Sequence, residues 1–375
     1  MTDPRIKKLA QVLVNYSTEV KEKQLVAIMG RPNATALINE VYREVLRAGA
    51  YPYVLTTGFP PYTPGLQGLD NILYSEANQD QLGQEDIFYK LVCEKFDVRI
   101  LIYSEYNTRS LSNVDSNQLQ IHRLAQKEIK KTWMKRSAEG EFRWVVTTFP
   151  CEALALEADM SLEEYTDFFY TATYCNTNDP IGKWKEIYHD QQQLVDWLEG
   201  RKVVHINGSD IEMEFSIEGR TFLIGDGKKN MPCGEIFTGP IENSANGWVR
   251  FSYPAIIHGT EVHSVELKFK NGKVVEASAG KNEEFLKSML DTDDGSRFLG
   301  EFGIGTNKHI TKFMKDIGYD EKIMGTVHFA LGSGYPESGS KNESSIHWDM
   351  ICDLRDGGQI MIDDELFFEN GEFMI

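Results

Sequence analysis

The sequence predicts an α/β N-terminal domain built on a mainly parallel sheet, followed by a β-rich (α+β) C-terminal domain. Three observations carry this. The chain has 375 residues, more than one core usually spans at about 100–200 residues per domain. In residues 1–200, apolar positions alternate between a helical and a strand period. Only nine of the 31 glycines fall in that stretch, and the rest crowd a second half rich in strand patterns and turn dipeptides. The predicted boundary is Gly200-Arg201, giving domains 1–200 and 201–375.

The elements follow in order. Leu9, Val12, Leu13, Tyr16 and Val20 form a helical stripe, and Gln24–Met29 is a buried strand. Leu37, Ile38, Val41, Val45 and Ala48 form a second stripe, opened by Asn33 as N-cap and closed by Gly49. Tyr51–Thr56, Val98–Tyr103 and Arg143–Thr148 are strands. Helices are expected around 115–137, 161–174 and 184–199. Such alternation implies crossover units and a parallel sheet covered by helices. In the second half, Val265, Leu267 and Phe269 alternate with charged residues up to Asn271-Gly272, the strongest short hairpin signal. Asn370-Gly371, Asn207-Gly208 and Glu218-Gly219 mark further turns, and one helix is expected near Asn282–Leu290.

Composition excludes several function classes. The chain is 41% hydrophobic and 26% charged, which are globular values. There are 39 basic and 57 acidic residues, a net charge of −18, so nucleic acid is not an expected partner. No apolar run is long enough to span a membrane. The N-terminus, Met-Thr-Asp-Pro-Arg, carries no apolar signal core, so a cytoplasmic location is expected. The five cysteines are scattered and form no CxxC, which argues against a disulfide framework. The turn Gly30-Arg31-Pro32-Asn33 lacks the GxGxxG of dinucleotide sites. GxSxG and HExxH are absent as well.

What remains is a scatter of carboxylates and histidines in glycine-rich, β-rich surroundings. Glu235 lies in Asn230–Pro240 (NMPCGEIFTGP). Glu301 lies in Gly300–Asn307 (GEFGIGTN), an acid inside an otherwise apolar run. His328 sits mid-strand in Gly325–Pro336 (GTVHFALGSGYP), which also holds Tyr335. In His347-Trp348-Asp349 the first and third residues point to one strand face. Each has an ordinary structural reading, such as a capped turn, a core histidine or an edge ion pair. Together they offer three carboxylates and two imidazoles, the donors that two adjacent divalent ions need in a hydrolase. A competing cluster, His258, Glu261 and His263, runs into a hairpin of alternating charge and is expected to be a solvated face.

These four segments resemble the thermophilic-type metallo-aminopeptidase family, the aminopeptidase T and aminopeptidase S group, and the resemblance spans the chain from Val26–Gly30 and Arg47–Tyr51 onward. It implies an α/β domain followed by a β-rich domain carrying two divalent ions, with zinc, cobalt, manganese or magnesium as occupants. It places metal ligands at Glu235, Glu301, His328, His347 and Asp349 and the catalytic tyrosine at Tyr335. It implies a homodimer acting on peptides with a free N-terminus. On that reading metal-activated water attacks the first peptide carbonyl, Tyr335 donates to the oxyanion, and Glu301 also shuttles the proton. Two alternatives stay open: another two-metal amide hydrolase, such as an amidase or deaminase, and a non-catalytic two-lobed binding protein.

Overall fold

The computed structural model describes residues 3–56, 66–257 and 259–375. Internal contacts divide the chain into two compact units, Met1–Trp184 with Gly227–Pro232, and Lys185–Asp226 with Cys233–Ile375. The sequence boundary at 200 lies elsewhere because Gln191, inside the helix α3 (Pro180–Leu198), bonds the second unit. Its side-chain amide donates to the carbonyls of Gly225 and Glu235 and to Thr306 Oγ1.

In the first unit, β1 (Leu25–Gly30), β2 (Tyr51–Leu55), β3 (Val98–Tyr103) and β4 (Arg143–Thr148) pair in parallel in the order β2-β1-β3-β4. The short strand Asn230–Met231 adds to the free edge of β4. Val26 to Gly30 are buried without alternation, as expected of a parallel strand covered on both faces. Helix α1 (Pro4–Val12) is capped by the Asp3 side chain and continues as a π-turn to Ser17, so the predicted stripe stops short of Val20. Helix α2 (Thr35–Arg47) begins later than expected. Pro32 opens a separate 3₁₀ turn, and Asn33 donates to the Glu105 carbonyl instead of capping. The predicted helix over 115–137 is two helices meeting at Gln126, whose side chain bonds Gln84 and Asp86 instead. Helices Leu69–Glu76 and Ile87–Lys95 were not foreseen.

The second unit stacks two antiparallel sheets. One has eight strands. Its hairpins at Asn271-Gly272 and Asn370-Gly371 have positive φ at both central residues, the geometry that favours Asn-Gly. Asn207-Gly208 is not a turn: both residues continue the strand Val203–Gly208, and Ser209-Asp210 make the reversal. The other sheet contains β5 (Leu223–Gly225), β6 (Glu235–Thr238), β7 (Leu299–Gly305), β8 (Thr326–Gly332) and β9 (His347–Asp353), in the order β9-β8-β7-β6-β5. Phe302, Phe329, Leu331 and Trp348 project from one face of this sheet into a shared core with Ile206, Met213, Phe215 and Val249 of the larger sheet. Phe215 and Phe302 meet edge to face, 4.9 Å between centroids.

Candidate metal centre

The other face of the smaller sheet carries the charges. Register decides this. Directly paired residues share a face. Gly305 pairs with Glu235 and Gly303 with Phe237. Glu301 pairs with Ala330 and Gly303 with His328. Ala330 pairs with Asp349, Gly332 with His347 and His328 with Ile351. Glu235, Glu301, His328, His347 and Asp349 therefore project to one side, opposite the core residues. A bulge between Leu299 and Glu301 sets the alignment of Glu301 with Ala330.

Glycine makes room for the donors. A Cβ at Gly303 would lie 2.1 Å from His328 Nε2, and one at Gly225 would lie 2.8 Å from Glu235 Cγ. The imidazole of His328 thus lies across a strand position that only glycine can fill.

All five residues predicted as ligands come together. His328 Nε2 lies 3.2 Å from Glu301 Oε1 and 3.3 Å from Glu235 Oε2. His347 Nε2 lies 3.4 Å from Asp349 Oδ2 and 3.5 Å from Glu301 Oε2. His347 Nδ1 contacts the Ser333 carbonyl at 2.6 Å, which fixes a proton on Nδ1 and turns Nε2 toward the carboxylates. Two sets of donor atoms lie within 4.8 Å of one another and overlap at His328: Glu235, Glu321 and His328, and Glu301, His328 and Asp349.

Glu321 was missed by sequence reasoning, as was Lys322. Both follow the single-turn helix α4 (Ile317–Asp320) in the run Asp320-Glu321-Lys322. A charged run of this kind resembles a solvent-facing turn, and only its position seven residues before His328 hinted otherwise. Lys322 is wholly buried, with Nζ 2.9 Å from Glu235 Oε1, and it also bonds Glu321.

Electrostatics sharpen the picture. Burial and the nearby charge of Asp349 raise the Glu301 pKa, against the hydrogen bond from His328. Burial opposes the charged form of His328, yet its bond to Glu301 and the charge of Glu235 lift it to about 9. For His347, Asp349 and Glu301 outweigh burial and lift it to about 10. Burial pushes Glu321 to about 8 despite Lys322. The raised carboxylates and the raised imidazoles alike reflect an excess of negative charge on this face, which a cation would balance. Two carboxylate oxygens on this face, Glu235 Oε2 and Asp349 Oδ1, are buried without a hydrogen-bond partner. Hard oxygens with two imidazoles, and orphaned oxygens among them, suit a divalent cation.

Tyr335 lies at the open side of the cluster. Its backbone is extended (φ −89°, ψ 119°), with Pro336 starting a short turn. Its ring meets His347 edge to face at 5.4 Å and Phe237 at 5.5 Å. Tyr335 is 44% exposed as a residue, while burial and the charges of Glu301 and Asp349 keep its phenol protonated well above the usual range.

The rival cluster is different in kind. Glu261 and His263 pair with each other at 3.2 Å on a partly exposed strand, and His258 lies outside the described residues. Neither Glu261 nor His263 belongs to a convergent set of ligands among the described residues. All five cysteines are free, and Cys233, beside Glu235, is buried with its thiol pushed up to about 12.

The chain is similar to several known proteins. Aminopeptidase 2 of Geobacillus stearothermophilus is 29% identical over 249 residues, 57% of this chain and 60% of that protein. Aminopeptidase T of Thermus thermophilus is 29% identical over 210 residues, 52% of this chain and half of that protein. The chain thus matches about half to two-thirds of the length of its curated relatives. The solved structure of wild-type AmpT from Thermus thermophilus superposes with a TM-score of 0.85 at 21% identity, covering 99% of both chains, and shares the fold. The model of the thermophilic metalloprotease (M29) family matches residues 2–373, and the chain belongs to that family.

Proposed function

We propose that the protein is a metal-dependent aminopeptidase that removes N-terminal residues from peptides. The observation that carries this is the convergence of Glu235, Glu301, Glu321, His328, His347 and Asp349 on one glycine-cleared sheet face. Glu235 and Glu321 with His328 would hold a divalent ion at one end, and Glu301, His347 and Asp349, with His328 shared, one at the other. Zinc, cobalt, manganese and magnesium all suit this set. Bound ions supply Lewis-acid chemistry, lowering the pKa of water and polarising the scissile carbonyl.

The chain's own groups do the rest. The Ser333 carbonyl holds the proton on His347 Nδ1, so the ring presents Nε2 in one orientation. Tyr335 keeps its proton and can donate it as a hydrogen bond where negative charge develops on the carbonyl oxygen. Glu301, whose two oxygens face His328 and His347, carries the proton from water to the leaving amine. Catalysis is thereby assigned to the second unit, Lys185–Asp226 with Cys233–Ile375, and the first unit is the accompanying α/β part.

Support comes from the donor set, the family membership and the names of the curated relatives. A homodimer completes the proposal, on the family resemblance, and sedimentation velocity tests it. Substrate class is tested with a paired set of peptides differing only in N-terminal acetylation. An aminopeptidase cleaves the free forms and releases single residues. Equal cleavage of the acetylated forms, or internal cuts, would instead support a general amide hydrolase.

A further inference from the structure

Among the described residues, Lys322 is the one strong cation in the cluster. Its side chain is fully buried, a rare state for lysine unless carboxylates surround it. It cannot swing away easily. Its backbone N–H donates to the Tyr319 carbonyl at 2.9 Å, and its own carbonyl accepts from Asn307 N–H at 3.1 Å. The next residue presses on β7 so closely that a Cβ at Gly305 would lie 2.1 Å from the Ile323 carbonyl oxygen. The backbone that carries the ammonium is thus held, and its Nζ is bonded to Glu235 and Glu321.

Its position splits the cluster into two unlike ends. At one end Nζ holds Glu235 Oε1 at 2.9 Å and also bonds Glu321. That leaves Glu235 with its other oxygen, Oε2, which has no hydrogen-bond partner and faces His328 Nε2 at 3.3 Å. At the other end, Glu301 and Asp349 have only imidazoles as ion-pair partners among the described residues. An ion at the first end shares its carboxylates with a fixed positive charge; an ion at the second does not. Like charges that share a carboxylate oppose each other, most strongly where water is excluded.

We propose, on the metal-centre reading above, that Lys322 is a built-in cation that makes the two ends unequal: the divalent ion at Glu235 and Glu321 is held more weakly and exchanges, while the ion at Glu301, His347 and Asp349 is held tightly. Charge counting agrees. Four carboxylates (Glu235, Glu301, Glu321, Asp349) against one ammonium give −3. A first divalent ion leaves −1 for the second. Without the ammonium the second ion would meet −2. Lys322 is therefore a positioning residue: it restricts Glu235 to one donor oxygen and sets the affinity of the exchangeable site.

The test is a cobalt(II) titration of the metal-free full-length protein, followed by calorimetry and by visible absorption of the bound cobalt. The wild type should show two binding steps at least about tenfold apart, or about 1.4 kcal/mol. In Lys322→Met the weaker step should tighten about tenfold or more, while the tighter step moves less than about threefold. Circular dichroism checks that this variant folds. Glu321→Gln, which keeps Lys322 and removes one of its partners, should weaken the weaker step further and spare the tighter one; it decides the matter if Lys322→Met does not fold. An unchanged gap in Lys322→Met, loss of its weaker step, or Glu321→Gln shifting both steps alike would overturn the proposal. A wild type that binds no cobalt at all would overturn the metal-centre reading itself, a result distinct from two equal steps.

Discussion

The two five-stranded sheets of this chain handle buried charge in opposite ways. In the parallel sheet, residues along β1 are buried without alternation, the buried Arg99 inside β3 donates to the Tyr89 hydroxyl, and paired charge stands past the end of β1. There Arg31 meets Asp70 at 2.6 Å and Glu105 at 3.1 Å, so cation and carboxylates largely answer one another. In the antiparallel sheet the two-residue period puts an aromatic core on one face and four carboxylates near the other, with one lysine among them. A parallel strand covered on both faces has no side to spare for a polar cluster. An antiparallel strand with one face in the core does, and here that face is left short of positive charge.

The comparison predicts where damage falls. The largest effect is expected from His328→Ala, which removes the donor common to both ligand sets. Metal content should fall, and turnover should drop by more than the about 100-fold typical of outer-shell losses. Retained stoichiometric metal in that variant, measured by elemental analysis, would break the account. Tyr335→Phe should keep its metal and KM yet lose about 100- to 1000-fold in kcat, as for one oxyanion donor. A variant with wild-type kcat removes Tyr335 from the chemistry.

Glycine substitutions sharpen the contrast between the sheets. Gly303→Ala forces a methyl group into the His328 ring and should cost about 1–3 kcal/mol by overpacking, with weakened metal binding. Gly30→Ala in β1 meets its nearest neighbours at 3.2 Å and should cost less than about 1 kcal/mol, with metal binding intact. Thermal unfolding of both variants, with and without metal, reads the difference. If Gly30→Ala also loses metal, the separation between the sheets is wrong.

The parallel sheet was the more legible of the two. Val98–Tyr103 and Arg143–Thr148 matched their strands, because continuous apolar runs are local signals. The Asn33 cap failed because Pro32 makes its own turn, and Asn207-Gly208 failed because pairing on both sides carries the strand two residues further. In the candidate metal centre, strand alternation put His347 and Asp349 on one face, while the full set with Glu235, Glu301 and His328 was read through the resemblance of their segments to the family. Glu321 and Lys322 could not be read. They sit on a turn, and what brings them to Glu235 is contact across 86 and 87 positions of sequence, which no local pattern encodes.

A further effect, away from the metal centre, concerns Asp293, which braces the loop before β9. It accepts bonds from Ser344 Oγ, Ser345 N–H and Ser345 Oγ, each at 2.7 Å. Burial opposes its charge, but these bonds outweigh burial and hold its pKa far below the usual carboxylate range. A depressed carboxylate stabilises the fold above its unfolded pKa of about 3.9 and loses that contribution as pH falls below it. Asp293→Asn should therefore cost about 1 kcal/mol near neutrality, and the gap to the wild type should close below about pH 4. A gap that is constant with pH in denaturant melts would remove the charge from the explanation.

The most direct test of the metal centre is metal content measured alongside aminopeptidase activity, before and after chelation, on a peptide with a free N-terminus. The account predicts stoichiometric divalent metal in the purified protein, loss of activity when the metal is stripped, and recovery when zinc, cobalt, manganese or magnesium is returned. Full activity in metal-free protein would contradict it.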